Sequence, residues 1–297
     1  MAFTLTINTV DGSGWGTEPV SGMNAVWNQA VQDLQNALIP PAGNITLTIT
    51  RQFLAGPLGQ SAPGHDTTGY TQVRAAYLAL TPTNSIQSAN WTSANIPSTP
   101  PTTQLNTFMQ GTDNLSIAIG RIASTATSGS LTLGSGFGWD TSSLRGESVS
   151  GSGFTAYGVI MHEMTEFLGR GANADSGSAT QPMDNFTFSA AGTHSTVQAT
   201  TRYISVGGGG VTPALYFMNT GGGDAGDALS GSPSFDASTS AQAIISRSST
   251  LPLQAEDWQW MTLIGYNLSA TGQIWAGLAS GTTTGGFSPA LMGAHGR

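Results

Sequence analysis

Residues Tyr157 to Leu168 constrain this chain more than any other stretch. At ~100° per residue, Tyr157, Ile160, Met161, Met164 and Leu168 form one apolar stripe, and His162, Glu166 and Gly169 share a face nearly opposite. A helix patterned this way needs a hydrophobic core on one side and a polar site on the other. His162 and Glu166 stand four residues apart, which brings an imidazole nitrogen and a carboxylate within reach of one cation. Glu163 projects ~100° away from His162, where it can take a proton from a metal-bound water without itself being a ligand.

Composition narrows the alternatives. Only 8% of the residues are charged, against about 25% in ordinary soluble domains, and every basic side chain is Arg. With a net charge of −8 and a pI near 4.7, the chain lacks the basic footprint that phosphate backbones require, so nucleic acid is not an expected partner. The absence of cysteine removes disulfides, thiolate metal sites and a cysteine nucleophile together. The glycine runs at 207–210 and 221–223 are not phosphate loops, because no Lys exists to meet a phosphate and neither run opens a helix. A serine-hydrolase reading fails for want of a G-x-S-x-G elbow. No apolar stretch reaches the ~18 residues of a membrane span. The first residues, MAFTLTINTV, carry no basic segment followed by a long apolar run. Export is therefore expected to depend on a leader already removed or on a signal in the Gly/Ser/Thr-rich tail.

Local patterning predicts a mixed α/β (α+β) fold. Leu5 to Ile7 reads as a strand, and Met23, Val26, Trp27, Ala30, Val31, Leu34, Ala37 and Leu38 as one helix face, stopped by Pro40-Pro41. Ile45, Leu47 and Ile49 alternate with Thr as a half-buried strand. Helices are predicted over 71–80, 114–123 and 254–264, an edge strand over 131–133, and a long surface excursion from about 81 to 105. Beyond the 157–168 helix, short strands at 186–188, 203–206 and 215–218 make the C-terminal half β-rich, between glycine-rich turns. His65-Asp66 reads as part of an exposed loop, and the Trp residues as core. The simplest division is one domain over 1–268 and a tail over 269–297.

The run YGVIMHEMTEFLGRG resembles the zincin signature HExxHxxGxxH, and more closely the HExxE-x-x-GR variant of a group of bacterial secreted zinc metalloproteases. The segments GYTQVRAAYLAL, Trp139-Asp140, MDNFTFSAAG, GGGDAGDALSG and QAEDWQWMTLIGY follow in that group's order. The resemblance implies a zincin-like domain with a twisted sheet and an active-site helix, His162 as metal ligand and Glu163 as general base. Glu166 stands where the usual motif has its second His, and Ala172 where metzincins have their third. Asp184 is the first candidate for the remaining ligand, followed by His194, Asp224 and Asp227. Tyr203 is a candidate oxyanion donor by residue type alone.

These readings lead to a secreted or cell-surface metalloendopeptidase that hydrolyses polypeptides with a metal-activated water, Zn²⁺ being the expected cofactor. A set of one His and two carboxylates would roughly neutralise the cation. That predicts an alkaline-shifted hydrolase, or a preference for harder ions such as Mn²⁺ or Ca²⁺. The alternative is a zincin-like scaffold that has lost its chemistry and self-associates into arrays or filaments on a surface. Low charge suits it, since few charges repel between packed subunits.

Overall fold

A computed structural model of the chain describes residues 3–99, 108–123, 126–142, 154–170, 181–195, 202–209, 214–217 and 255–278. The first half runs β1 (Leu5–Asp11), α1 (Met23–Ala37), β2 (Leu38–Ile39), β3 (Ile45–Leu54), β4 (Gly59–Pro63), β5 (His65–Gly69), α2 (Tyr70–Ala79), α3 (Ser85–Asn90), β6 (Phe108–Thr112), α4 (Asp113–Ala118), β7 (Ala126–Gly134) and β8 (Trp139–Asp140). The second runs β9 (Phe154–Thr155), α5 (Ala156–Phe167), a 3-10 helix (Pro182–Phe186), β10 (Thr187–Ala190), β11 (Thr193–His194), β12 (Tyr203–Ser205), β13 (Ala214–Phe217), α6 (Ala255–Ile264), β14 (Asn267–Leu268) and α7 (Ala270–Trp275). The architecture is α+β, as the patterning predicts.

The main sheet has the order β1-β3-β7-β4. β1, β3 and β7 are parallel, whereas β4 runs antiparallel to β7. The alternation in β3 buries Ile45, Leu47 and Ile49 completely, and α1 buries Met23, Val26, Trp27, Ala30, Leu34 and Ala37. α5 packs against α1, β4 and β7. A second sheet, of order β11-β10-β12-β13, has antiparallel pairing throughout and accounts for the β-rich part of the C-terminal half.

Several elements differ from the sequence-based expectation. β7 is no edge: it spans Ala126–Gly134 and pairs on both sides, with β3 and β4. His65-Asp66 lies in strand β5, not a free loop, and Asp66 holds Arg121 through two contacts of 2.7 and 2.8 Å. The stretch after α2 is no mere surface excursion, because it contains α3 and buries Gln87, Asn90, Trp91 and Ile96. After Leu268, Ser269 caps α7, and Trp275 lies 5.0 Å from Trp258 between ring centroids, which leaves the division at 268 untested. Among the described residues no helix is long and apolar enough to cross a membrane.

Candidate metal centre

The sequence of α5 folds as a helix that is buried nearly all round, from Ala156 to Phe167, with only Gly158 and Glu166 less than fully covered. The face expected to be polar is itself covered, because β4 lies over it. An ideal Cβ on Gly59 would come within 2.4 Å of Glu163 Oε1 and 2.7 Å of Val159 Cγ1. Only a glycine lets the strand backbone approach the Glu163 carboxylate this closely. Two residues along β4, the Ser61 hydroxyl donates to Glu166 Oε2.

His162, Glu163 and Glu166 each offer a ligand atom, and these atoms lie within 4.8 Å of one another. His162 and Glu163 are 5% and 4% exposed, so the donors converge where water competes weakly. Zinc bonds of ~2.0–2.2 Å hold tetrahedral ligand atoms roughly 3.4 Å apart, and His162 Nε2 and Glu166 Oε1 stand 3.2 Å apart, close to that spacing. One imidazole and two carboxylates are a chemically suitable set for a divalent cation.

The end of α5 brings a fourth side chain to the group. Gly169 adopts φ +103, its N–H donates to the Glu166 carbonyl at 2.9 Å, and the Arg170 N–H donates to the Thr165 carbonyl at 3.1 Å. These two bonds form a Schellman turn, which reverses the chain at the helix end. A Cβ at Gly169 would also meet Leu115 at 2.6 Å. The reversal sends the Arg170 side chain back along the helix, fully buried. There its Nε donates to Thr165 Oγ1 at 3.0 Å, its Nη2 sits 3.0 Å from His162 Nδ1, and the same Nη2 is 3.6 Å from Glu166 Oε1. The guanidinium also lies over the Trp260 ring at 5.7 Å.

Guanidinium nitrogens only donate, so His162 Nδ1 accepts in this arrangement. His162 Nε2, 3.2 Å from Glu166 Oε1, then carries the ring proton and donates it. Burial pushes the Glu166 carboxyl up, but the opposing influence of His162, the Arg170 charge and the Ser61 hydrogen bond outweighs it and holds the group down to about 2. Glu166 is therefore an anion at any ordinary pH.

Asp184 and His194, the other described candidates, are not in this group of ligand atoms. Asp184 is fully buried, but its Oδ2 accepts from the Gln181 N–H at 2.7 Å and caps its own 3-10 helix, and it does not join the trio. His194 packs on Phe188 in a tilted pair, with centroids 4.3 Å apart, and desolvation lowers its pKa. The Tyr203 hydroxyl donates to the Gly209 carbonyl at 3.4 Å, and burial raises its pKa. Neither His194 nor Tyr203 belongs to the group. Asp224, Asp227 and Ala172 lie outside the described residues.

Sequence reasoning missed Gly59 and Ser61, and it quoted Arg170 within the motif without giving it a role. Ser61 is 105 residues from its partner, and no local pattern announces it. Arg170 had a signal: a basic residue directly after a helix-ending glycine can be turned back toward that helix. Comparison with protein-family models, with curated proteins and with solved structures returns no match.

Proposed function

We propose that this protein is a metal-dependent peptidase of zincin-like construction. The observation that carries this reading is the buried His162, Glu163 and Glu166 trio, with all ligand atoms within 4.8 Å, beneath strand β4. His162 and Glu166 would hold a divalent cation, Zn²⁺ first, with Mn²⁺ or Ca²⁺ as harder alternatives. When bound, such an ion supplies Lewis acidity toward both a water and a scissile carbonyl. Glu163, held against β4 and dry, would accept the proton released from the attacking water and return it to the leaving amine.

The sheet supplies a place for an extended substrate. Gly134 N–H donates to the Leu58 carbonyl at 3.0 Å, and β4 pairs with β7 in the register Gly59 with Leu133 and Ser61 with Leu131. Alternation along an antiparallel pair then turns the backbone groups of Gly59 and Ser61 away from β7, toward the edge with which no strand pairs among the described residues. Those same two residues touch Glu163 and Glu166. A polypeptide added to this edge as a further strand would bring its carbonyls past the trio.

One observation favours the alternative of an inert, self-associating scaffold. Arg170 already supplies a positive charge to His162 and Glu166, so the network is complete without a cation. Elemental analysis of the purified protein beside His162→Ala decides between them. The peptidase reading expects about one equivalent of metal, lost in His162→Ala, together with hydrolysis of a mixed peptide library that Glu163→Gln abolishes while keeping the metal. No metal after reconstitution with Zn²⁺, Mn²⁺ and Ca²⁺, and no hydrolysis by either form, would favour the scaffold.

A further inference from the structure

We infer that Arg170 is a positioning residue that fixes the tautomer of His162 and competes with any cation for the His162 and Glu166 pair. The tautomer half stands on the geometry alone, and the competition half rests on the metal reading of the site.

Histidines that bind metals ordinarily donate their second ring N–H to a carbonyl or carboxylate, which leaves the other nitrogen free to ligate. Here the group on Nδ1 is Arg170 Nη2, at 3.0 Å, and it cannot accept. A neutral imidazole that accepts at Nδ1 keeps its proton on Nε2, the nitrogen aimed at Glu166 Oε1 across 3.2 Å. The lone pair that a cation needs is thus engaged in an N–H bond for as long as Arg170 holds this position. The same guanidinium stands 3.6 Å from Glu166 Oε1, so its charge opposes a second cation on that carboxylate.

Arg170 is held in place from several sides. The Schellman turn fixes its backbone, Thr165 Oγ1 accepts from its Nε, and Trp260 lies under the guanidinium. Trp260 is itself tied down, its indole N–H directed at Met183 Sδ at 3.0 Å. A release is also in reach, because Nη2 lies 3.4 Å from the His162 carbonyl. A shift toward that carbonyl would free Nδ1 to carry the proton and Nε2 to ligate.

Two measurements test this. The first is ¹⁵N–¹H long-range correlation NMR on the chelator-treated full chain, with His162 assigned by its loss in His162→Gln. His162 is expected as the Nε2–H tautomer in the native protein. Arg170→Met, which keeps bulk over Trp260 but neither charge nor donor, is expected to move population to Nδ1–H. Arg170→Gln, which keeps a donor, retains more of the Nε2–H form. The second is Co²⁺ titration followed by its visible absorption, where Arg170→Met is expected to bind at least about tenfold tighter than native, with Arg170→Gln between them.

A native His162 in the Nδ1–H form overturns the tautomer assignment without any variant being needed. Unchanged tautomers in both variants overturn it too. Weaker Co²⁺ binding in Arg170→Met would make Arg170 a support of the metal site and overturn the competition. If no form binds Co²⁺, the metal reading fails and the competition with it, while the native spectrum still decides the tautomer.

Discussion

At the scale of single residues, the centre depends as much on an absent side chain as on the donors present. Gly59 leaves room for Glu163, since a Cβ there would fall 2.4 Å from Oε1 and 2.7 Å from Val159 Cγ1. The carboxylate end can swing, but Val159 is fully buried and has nowhere to go. Overpacking of this kind costs about 1–3 kcal/mol, and Gly59→Ala is expected to lose that much while displacing Glu163. Gly56→Ala is the control, because a Cβ there meets nothing within 4 Å. Urea midpoints of the two variants check the claim, and equal midpoints would mean that β4 can lift away from α5.

At the scale of elements, legibility followed periodicity. α1, β3 and α5 declare themselves because each carries a regular apolar stripe into a large core, so spacing alone reveals them. β4 reads GQSAP and β5 reads HDTTG; neither has an apolar alternation, and both exist because of the strands they pair with, β7 and β6. Only Leu131 and Leu133 of β7 are large and apolar, which is why it resembled an edge. The His162, Glu163 and Glu166 trio was legible because it sits within one turn of one helix, whereas Ser61 joins it only through the tertiary fold. α2 shows how such ties between elements respond to pH. The Tyr70 hydroxyl donates to the Pro97 carbonyl at 2.8 Å and the Tyr77 hydroxyl to the Ile264 carbonyl at 2.5 Å. Burial, partly offset by Arg74, pushes Tyr70 up from 10.0 to about 12, and burial pushes Tyr77 higher still. Above pH 10 the unfolded chain therefore releases protons that the native state retains, so stability falls with rising pH. The contribution of Tyr70 is fully present below pH 10 and is lost as pH rises to about 12, with Tyr77 extending the loss. Tyr70→Phe should be less stable than native at neutral pH, and its urea-midpoint curve should converge on the native one through this window. Parallel curves would remove Tyr70 as a cause.

At the scale of the whole molecule, the candidate centre is supported by contacts between segments far apart in sequence. β14 pairs with β2 directly after α1, and Ser269 N–H donates to the Ala37 carbonyl at 2.9 Å. Gly272 of α7 lies so close to α1 that a Cβ would stand 2.4 Å from the Ala37 carbonyl oxygen. α1 in turn holds α5: Tyr157 donates to Asp33 Oδ2 at 2.6 Å, five residues before His162. A mechanical path thus runs from α7 through α1 to the helix that carries the donors. Trp275, packed on Trp258 with centroids 5.0 Å apart, fastens the far end of that path. Complete burial makes Trp→Ala cost about 3–5 kcal/mol, and Trp275 is only partly buried, so Trp275→Ala is expected to lose about 2–4 kcal/mol. Because α7 rests on the last turn of α1, amide exchange at Leu34 and Ala37 should quicken more than exchange in β3. If the urea midpoint and both exchange rates stay at their native values, α7 lies outside the cooperative unit. The support of α5 must then come from α1, β4 and β7 without help from α7.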